Sequence, residues 1–411
     1  MHDLLTQLRL KWFFATKTLK YTSDYLDRSY QIFLNHNKVI HFRNGHPVYS
    51  LSTPALYSKP AANFFAQQFY KIIRNRSTPN LMSFAVTDVC NATCGHCSFY
   101  DDDDVGGRKK AVLTLPQAQQ ALKDAQALGV SVINFTGGEP LLREDFPEIV
   151  RSVDKDLSTT ILFTHGGFLA ERVGDLKRAG LDSIYISLDF ADPEQHDAHR
   201  GITGLFHKAV QGITKARTLG FSTGISCCLT PEGFRDGEFQ RMVELGKAIG
   251  VHEVLFLDAM PTGRFKRRKD LVGNTAWLGD MVEASKVYNG DTSYPGILVY
   301  AYATSYRGVG CSCGTDFFYI SPHGDVCPCD FSHVIFGNIL ETPLHEIWEK
   351  MNALEDFRSV KFGACKIKDS AWQEKKTVSG EFSAYDGAPP GACSTCASAP
   401  EEASQARGPA Q

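Results

Sequence analysis

Long apolar runs, a secretory signal and a dominant charge are all missing from this 411-residue sequence. No stretch approaches the roughly 18 apolar residues that a membrane-spanning helix needs, and the N-terminus lacks the apolar core and cleavage site of a signal peptide. Lysines and arginines (43) nearly balance aspartates and glutamates (46). We therefore expect a soluble, cytoplasmic globular protein, in which clustered cysteines bind metal or do redox chemistry rather than form disulfides.

From about residue 81, strand-like and helix-like segments alternate along the chain. The predicted strands are 82–89, 130–135, 159–164, 183–188, 222–229 and 253–257, and the helices between them are 116–128, 146–153, 170–179, 204–219 and 238–249. Such alternation requires parallel strands joined by right-handed crossovers. The sequence therefore predicts an α/β fold, a partial (β/α)6 TIM-like barrel over residues 81–265, with functional groups at the C-terminal ends of the strands.

The remaining segments differ from this core in composition. Residues 1–80 form a basic N-terminal extension, with eleven lysines and arginines against three aspartates. Residues 266–396 contain a linker and a small C-terminal domain, and seven of the twelve cysteines fall between residues 305 and 400 among Gly, Pro, Asp and Ser. This composition is typical of a domain held together by metal. Residues 397–411 show no apolar periodicity and are predicted to form a disordered tail.

Three cysteines follow the first predicted strand within eight residues. Cys90, Cys94 and Cys97 form a CxxxCxxC pattern. Three thiolates on a short loop can hold three irons of a 4Fe-4S cluster and leave the fourth iron open to another ligand. A structural zinc site would need a fourth ligand at zinc-finger spacing, which the neighbouring sequence does not provide. We therefore predict an iron-sulfur cluster at these cysteines.

The cysteine pattern and the segments after it resemble the radical S-adenosylmethionine (SAM) superfamily. After the second strand, Gly137-Gly138-Glu139-Pro140 is similar to the family's GGEP segment, whose backbone meets the amino group of the SAM methionine. Paired glycines at a strand end let a ligand approach the main chain closely. The resemblance implies a reduced cluster that cleaves SAM to methionine and a 5'-deoxyadenosyl radical, which then abstracts hydrogen from a substrate.

Two residues near the fourth strand extend the resemblance. Ser187 and Arg200 are similar to residues that contribute contacts to the ribose and carboxylate of SAM in related enzymes. The alternative is a strand end followed by an ordinary helix cap with a surface arginine. The sequence departs from the family at His96, where many members carry an aromatic residue. This departure concerns the packing of adenine rather than the binding of the cluster.

A second group of cysteines surrounds a predicted hairpin with its turn at residues 322–325. The segment resembles the opening of SPASM and twitch domains, C-terminal extensions that bind auxiliary 4Fe-4S clusters. The resemblance implies one auxiliary cluster, with either Cys311 or Cys313 joined by Cys329, Cys393 and Cys396 as ligands. Zinc held by the same cysteines is the alternative. Cys327 and Cys365 are left without a role, and Cys227 and Cys228 are expected to be packing residues.

The basic N-terminal extension contains two stretches with amphipathic helical spacing. Their apolar residues are Leu4, Leu5, Leu8, Trp12 and Phe13 in the first stretch, and Phe64, Phe65, Phe69, Ile72 and Ile73 in the second. These helices could either cover the open side of the barrel or lie on the inner face of a membrane as a peripheral contact. We prefer the first interpretation. Between the two stretches, Asn44-Gly45 predicts a hairpin turn.

The resemblance implies a radical SAM enzyme that gives an oxidised or cross-linked product. A peptide or small-molecule substrate is favoured over a lipid, and a flavodoxin-like or ferredoxin-like protein is the expected electron donor. The alternative is a non-catalytic iron-sulfur or zinc protein acting as a redox or RNA-binding module. Nucleic acid is disfavoured as a partner because the N-terminal aromatic residues follow helical periodicity and not a stacking platform. The sequence identifies no catalytic acid or base.

Overall fold

The computed structural model describes residues 36, 38–74, 76–100, 111–272, 276–303, 310–332, 334–354, 357 and 365–369. Its strands are β1 (His41–Arg43), β2 (His46–Val48), β3 (Leu81–Ala85), β4 (Val132–Thr136), β5 (Thr159–Thr164), β6 (Ser183–Ser187), β7 (Ser222–Leu229), β8 (Glu253–Asp258), β9 (Gly296–Val299), β10 (Phe317–Ile320), β11 (Asp325–Cys327) and β12 (Gly337–Asn338). Its helices are α1 (Lys59–Arg74), α2 (Leu115–Ala127), α3 (Phe146–Arg151), α4 (Leu169–Ala179), α5 (Pro193–Arg200), α6 (Leu205–Thr218), α7 (Pro231–Arg235), α8 (Glu238–Ile249), α9 (Ala276–Asn289), α10 (Tyr300–Ala303) and α11 (Leu344–Ala353).

One sheet of ten strands runs through the structure in the order β12-β11-β10-β3-β4-β5-β6-β7-β8-β9. Neighbours from β10 to β9 are parallel, whereas β11 is antiparallel to both β10 and β12. Strands β3 to β8 are the six predicted from the sequence, and α2 to α8 connect them. In the described part of the chain β12 and β9 end the sheet without pairing to each other, which confirms a partial barrel.

Successive side chains of each strand point to opposite faces of the sheet, one towards the surrounding helices and the next towards the barrel interior. On β3, Met82 and Phe84 are fully buried against the surrounding helices, whereas Leu81 and Ser83 line the barrel interior. Helix α2 begins at a recognisable cap. At α2, the backbone N–H of Thr114 donates to the Gln117 Oε1 at 2.9 Å in a capping box.

The N-terminal segment fills the barrel at the N-terminal ends of its strands. The predicted hairpin is confirmed, since β1 and β2 are antiparallel around Asn44 and Gly45, whose φ angles of 51° and 79° suit a tight hairpin turn. After the hairpin, Tyr49 and Leu51 enter an apolar cluster with inward side chains of β4, β5, β6, β8 and β9. The cluster closes one end of the barrel, so residues 38–56 are part of the folded core.

Helix α1 is the second of the two amphipathic stretches, and it packs on the fold. Ala61, Phe64, Gln68 and Lys71 form its buried stripe at three- and four-residue spacing. Lys71 forms a buried ion pair with Asp316, directly before β10. The helix thus packs against the protein with Phe64 buried, as in the interpretation we preferred. The first amphipathic stretch lies outside the described residues.

Among the helices of the described residues, none is both long and apolar enough to span a bilayer.

Strands beyond residue 265 extend the central sheet on both sides. Strand β9 pairs with β8, and β10 pairs with β3, so the sheet crosses the boundary expected between core and C-terminal domain. The hairpin predicted around residues 322–325 is confirmed as β10 and β11, with Ser321 N–H donating to the Asp325 carbonyl at 2.8 Å. Gly324 has a φ of +88° in this turn, a conformation that favours glycine.

Candidate functional site

The loop after β3 carries the three clustered cysteines to the C-terminal end of the barrel. Cys90, Cys94 and Cys97 all line one cavity of about 440 Å³ inside the barrel. None of the ten described cysteines forms a disulfide. The loop is held by the end of α5, because Thr93 N–H donates to the Arg200 carbonyl at 2.9 Å. The sequence pattern thus produces three thiols on one short loop facing one space, which fits a cluster with three cysteine ligands.

Gly137 and Gly138 let the loop after β4 lie directly against the cysteine loop. The N–H of Gly138 donates to the Thr87 carbonyl at 2.9 Å. A Cβ atom at Gly137 would lie 2.4 Å from that same carbonyl oxygen, and a Cβ at Gly138 would lie 2.2 Å from the Val89 oxygen. Real Cβ atoms do not approach so closely, so both glycines are required by backbone contact between the two loops.

Glu139 is buried and fully engaged within the protein. Its Oε1 accepts hydrogen bonds from the backbone N–H of Leu141 at 3.0 Å and from Thr164 Oγ1 at 2.7 Å. Its Oε2 accepts from the backbone N–H of His165 at 2.9 Å. Pro140 begins a short 3-10 helix directly after this residue. The Glu139 side chain therefore ties the ends of β4 and β5 together, and the backbone of this segment faces the cavity.

Arg200 pairs with a buried carboxylate that the sequence did not identify, Asp189. The Arg200 Nε lies 2.8 Å and its Nη2 2.7 Å from Asp189 Oδ2, while Nη1 donates to the Cys94 Sγ at 3.6 Å. Burial alone would raise the pKa of Asp189, but the guanidinium holds this pKa well below its usual range. Ser187 also lines the cavity, at the end of β6. The structure thus gathers Ser187, Arg200 and the cysteine loop at one site.

The rings of His96 and His199 lie edge to edge in nearly the same plane, with their centroids 4.8 Å and their planes 5° apart. The His96 Nδ1 and the His199 Nε2 are separated by 2.5 Å. Burial lowers the pKa of His96 to about 4. Together with Asp189, these rings place possible ligand atoms within 4.8 Å of one another. Since Asp189 is already bound by Arg200, the flat pair of rings is better suited to stack against an aromatic ligand than to hold a metal ion.

A turn after β8 supports the cysteine loop and was missed in the sequence. Arg264 donates its backbone N–H to the Cys97 carbonyl at 2.9 Å and its Nη1 to the Cys94 carbonyl at 2.7 Å. Gly263 lies so close that a Cβ would be 2.1 Å from the Cys97 oxygen. The segment Pro261-Thr-Gly-Arg264 has no recognisable motif. Its position after a strand end was the one signal that could have singled it out.

Of the three thiols on this loop, that of Cys94 is buried and those of Cys90 and Cys97 are half-buried. Burial raises the pKa of Cys94 to about 11, although the nearby Arg200 guanidinium opposes this shift, and burial also raises the pKa of Cys90. Metal ligation requires thiolates, so binding of iron at this loop must displace protons.

A second group of thiols gathers at the C-terminal domain. Hydrogen bonds link the Cys311 thiol to Cys313 and Cys365, and link Cys313 to Cys329. These four residues come from the segment before β10, the loop after β11 and the position directly before a short 3-10 helix at 366–368. Four converging sulfurs suit a cubane cluster. Cys365, which the sequence left without a role, belongs to this group. Cys393 and Cys396 lie outside the described residues.

The two cysteines of β7 have different environments. Cys227 is buried in the main apolar core, as a packing residue should be. Cys228 instead lines the cavity, and its backbone N–H donates to Asp189 Oδ1 at 3.1 Å. Cys327, the other cysteine without an assigned role, is buried on β11 opposite Tyr319.

Family models match two parts of the chain. Residues 84–268 match the radical SAM superfamily, and residues 311–397 match SPASM, an iron-sulfur cluster-binding domain. The PqqA peptide cyclase of Streptomyces rochei is 31% identical over 294 residues, which cover 68% of this chain and 78% of that protein. The chain belongs to the radical SAM superfamily.

Other relatives agree with this assignment of a radical SAM enzyme. The AdoMet-dependent heme synthase of Methanosarcina barkeri is 29% identical over 325 residues, covering 72% of this chain and 91% of that protein. In three dimensions the chain is similar to SuiB of Streptococcus suis bound to S-adenosylmethionine, with a TM-score of 0.56, 14% identity, and coverage of 75% of this chain and 78% of SuiB. This radical SAM enzyme therefore uses a 4Fe-4S cluster and SAM, together with auxiliary iron-sulfur binding in its SPASM domain.

Proposed function

We propose that this radical SAM enzyme oxidises or cross-links a peptide or small molecule that it holds between its SAM-binding site and an auxiliary cluster. The main support for this proposal is the set of residues that line the cavity. The cavity is lined by Cys90, Cys94 and Cys97 of the loop after β3, and also by Tyr319 and Asp330 of the C-terminal domain. Because Asp330 follows Cys329 directly, a substrate in this space would lie near both groups of thiols.

Cys90, Cys94 and Cys97 would hold the radical cluster, and the backbone of Gly137-Gly138-Glu139-Pro140 would receive the methionine amino group of SAM. When bound, the cluster and SAM supply reductive cleavage to methionine and a 5'-deoxyadenosyl radical. Arg200 is fixed by Asp189 and its Nη1 lies against Cys94, so its guanidinium would offer N–H donors to the SAM carboxylate. Ser187 offers a hydroxyl at the neighbouring strand end for the ribose.

Cys311, Cys313, Cys329 and Cys365 are the auxiliary ligands that the described contacts favour. Each of the four thiols is hydrogen bonded to at least one other thiol of the group. The set first expected, in which Cys311 or Cys313 joins Cys329, Cys393 and Cys396, stays a prediction. It shares Cys329 and one of Cys311 and Cys313 with this set. The auxiliary cluster would accept an electron from the substrate radical or help to position the substrate.

The substrate class is supported by the names of the relatives. PqqA peptide cyclase acts on a peptide by its name, and SuiB has been solved with its precursor peptide SuiA. The heme synthase name indicates a small molecule. A lipid is less favoured because α1 packs on the fold with Phe64 buried. A flavodoxin-like or ferredoxin-like protein would deliver the electron that SAM cleavage consumes.

Peripheral membrane contact can be tested by liposome sedimentation of the intact protein and of a variant that lacks residues 1–35. The deletion should stop there because residues 38–56 fill the barrel. Binding that disappears with the deletion would support the membrane contact. Equal sedimentation of both proteins would remove the argument for a lipid substrate that rests on the first amphipathic stretch.

Single cysteine variants test the two-site proposal after anaerobic reconstitution with iron. Cys94→Ala should abolish formation of 5'-deoxyadenosine and retain auxiliary iron, whereas Cys329→Ser should lose auxiliary iron and retain the cluster at the first loop. Cys228→Ser is the matched control, because Cys228 lines the same cavity but belongs to neither thiol group. It should keep the full iron content. Retained SAM cleavage in Cys94→Ala would contradict the assignment of the radical cluster.

A further inference from the structure

The cavity contains a row of polar side chains that lie level with one another on three adjacent strands. Ser83 of β3 is in register with Tyr319 of β10 and with Asn134 of β4, and all three line the cavity. Asp330 lies beside this row, where its Oδ2 accepts a hydrogen bond from Ser83 Oγ at 3.1 Å. The row and Asp330 therefore form a polar patch, defined by Tyr319, Ser83, Asn134 and Asp330.

Asp330 differs from the other carboxylates in the cavity wall. Asp189, Asp258 and Asp316 pair with Arg200, Lys368 and Lys71, respectively. Glu139 accepts hydrogen bonds from three groups of the ends of β4 and β5. Within the described residues Asp330 has no cationic partner, and its buried Oδ1 has no hydrogen-bond partner. A buried carboxylate oxygen without a donor is costly, and a ligand that supplies the donor removes this cost.

The side chains two residues earlier on the same strands are apolar. Phe317 and Leu81 line the cavity next to the polar patch, and Val132 belongs to the apolar cluster that closes the barrel. Because side chains two positions apart share one face of a strand, the cavity presents an apolar row below the polar row. A ligand that matches both rows carries a polar group at one end of a short apolar chain.

We propose that Asp330 binds a hydrogen-bond donor of the substrate, an ammonium or hydroxyl group on a short aliphatic chain, and that it rejects a carboxylate at this position. The proposal rests on the proposed function, since it specifies the substrate class for the same cavity. An ammonium or a hydroxyl would supply the donor that Oδ1 lacks, and an ammonium would also place a positive charge beside this carboxyl group. A carboxylate would place a second negative charge beside Asp330.

Three probes of similar shape test this specificity: pentylamine, pentanol and pentanoate. Their binding to iron-loaded wild-type protein with SAM can be measured by saturation-transfer difference NMR. We expect pentylamine to bind at least tenfold more tightly than pentanoate, with pentanol between them. Equal or tighter binding of pentanoate would overturn the proposal. This comparison uses wild-type protein alone, so it does not depend on whether a variant folds.

Asp330→Asn should reduce the preference for pentylamine over pentanoate at least tenfold. Glu148→Gln is the charge-matched control, because Glu148 is exposed on α3, and it should leave the preference unchanged. An unchanged preference in Asp330→Asn would place the amine elsewhere and overturn the proposal. Tighter binding of N-acetyl-lysine N-methylamide than of pentylamine would assign the donor to a peptide, and weaker binding would assign it to a free small molecule.

The proposed function is judged separately by the iron content and SAM cleavage of the wild-type protein. If the protein loads iron and cleaves SAM but does not bind the amine more tightly than the carboxylate, only the inference about Asp330 is overturned. Failure to load iron or to cleave SAM would instead overturn the proposed function.

Discussion

The guanidinium of Arg200 holds the carboxylate of Asp189 with its Nε at 2.8 Å and its Nη2 at 2.7 Å, inside the wall of the cavity. Both side chains are buried, and the same guanidinium reaches the Cys94 sulfur. The pair therefore connects the end of α5 and the segment after β6 to the cysteine loop. The position of the guanidinium is fixed by the protein before any ligand binds.

Asp189→Asn should destabilise the protein because it leaves the Arg200 charge buried without its partner. Breaking one side of a buried ion pair costs about 3–5 kcal/mol. The matched control is Glu148→Gln, which breaks an exposed pair with Arg151 and should cost less than about 1 kcal/mol. Urea unfolding followed by circular dichroism measures both changes. Equal losses in the two variants would contradict the role given to the buried pair.

Gly138→Ala should prevent the cysteine loop from reaching its observed position, because the added Cβ would lie 2.2 Å from the Val89 oxygen. We expect loss of the radical cluster, about four irons per chain, and of 5'-deoxyadenosine formation. Gly279→Ala on α9 is the control, because nothing lies within 4 Å of its Cβ position. Full iron content in Gly138→Ala would show that the loop contact is not required.

Glu253→Ala should loosen the N-terminal segment from the barrel. Glu253 accepts hydrogen bonds from Ser50 Oγ at 3.1 Å, Leu51 N–H at 2.6 Å and the Tyr185 hydroxyl at 2.9 Å. Hydrogen bonds to a charged group contribute about 1.5–3 kcal/mol each, so we expect a loss of roughly 3 kcal/mol or more. Limited proteolysis should then cut near the turn at residues 44–45.

The control for this variant is Glu244→Ala, which removes an exposed carboxylate bound to the Tyr294 hydroxyl. It should cost less than about 1 kcal/mol and leave the proteolysis pattern of the wild type. Slow cleavage near the turn in both variants would mean that apolar packing alone holds residues 38–56 in place.

His252 should make stability depend on pH between about 4 and 6.5. Burial lowers its pKa from 6.5 to about 4, with His41 and Arg217 adding to the shift, and the ring accepts a hydrogen bond from Thr223 N–H at 3.0 Å. In this pH range the unfolded chain binds more protons than the folded protein. The free energy of unfolding therefore falls as the pH drops from about 6.5 to about 4.

His252→Asn keeps an acceptor for Thr223 but removes the titrating ring. We expect this variant to lose less stability over that pH range than the wild type, by about 1–2 kcal/mol, in urea unfolding at a series of pH values. Parallel curves for the two proteins would contradict the assignment to His252.

Local patterns in the sequence were sufficient to predict the six strands of the central barrel. Each of the six strands is a short apolar run between turn residues, and β5 and β7 have the predicted bounds. The turn at Asn44 and Gly45 was also predicted from neighbouring residues alone. Pairing of β10 with β3 and of β9 with β8 joins segments far apart in the chain. No local pattern specifies such a pairing, so the extension of the sheet was not predicted.

The same distinction applies to the site. Cys90, Cys94 and Cys97 are close in the sequence and were found together. Cys365 joins Cys311 only through folding of a segment about fifty residues away. The partners of Arg200 and Arg264 were missed because their contacts depend on the geometry of loops after different strands. Spacing in the sequence contains no information on these contacts.

Iron content and SAM cleavage, compared between the wild type and the Cys90→Ala/Cys94→Ala/Cys97→Ala variant after anaerobic reconstitution, test the central claim most directly. We predict about eight irons in the wild type and about four in the variant, with 5'-deoxyadenosine formed only by the wild type. Zinc in place of iron with no cleavage in the wild type, or equal iron content in both proteins, would contradict an enzyme with one radical cluster and one auxiliary cluster.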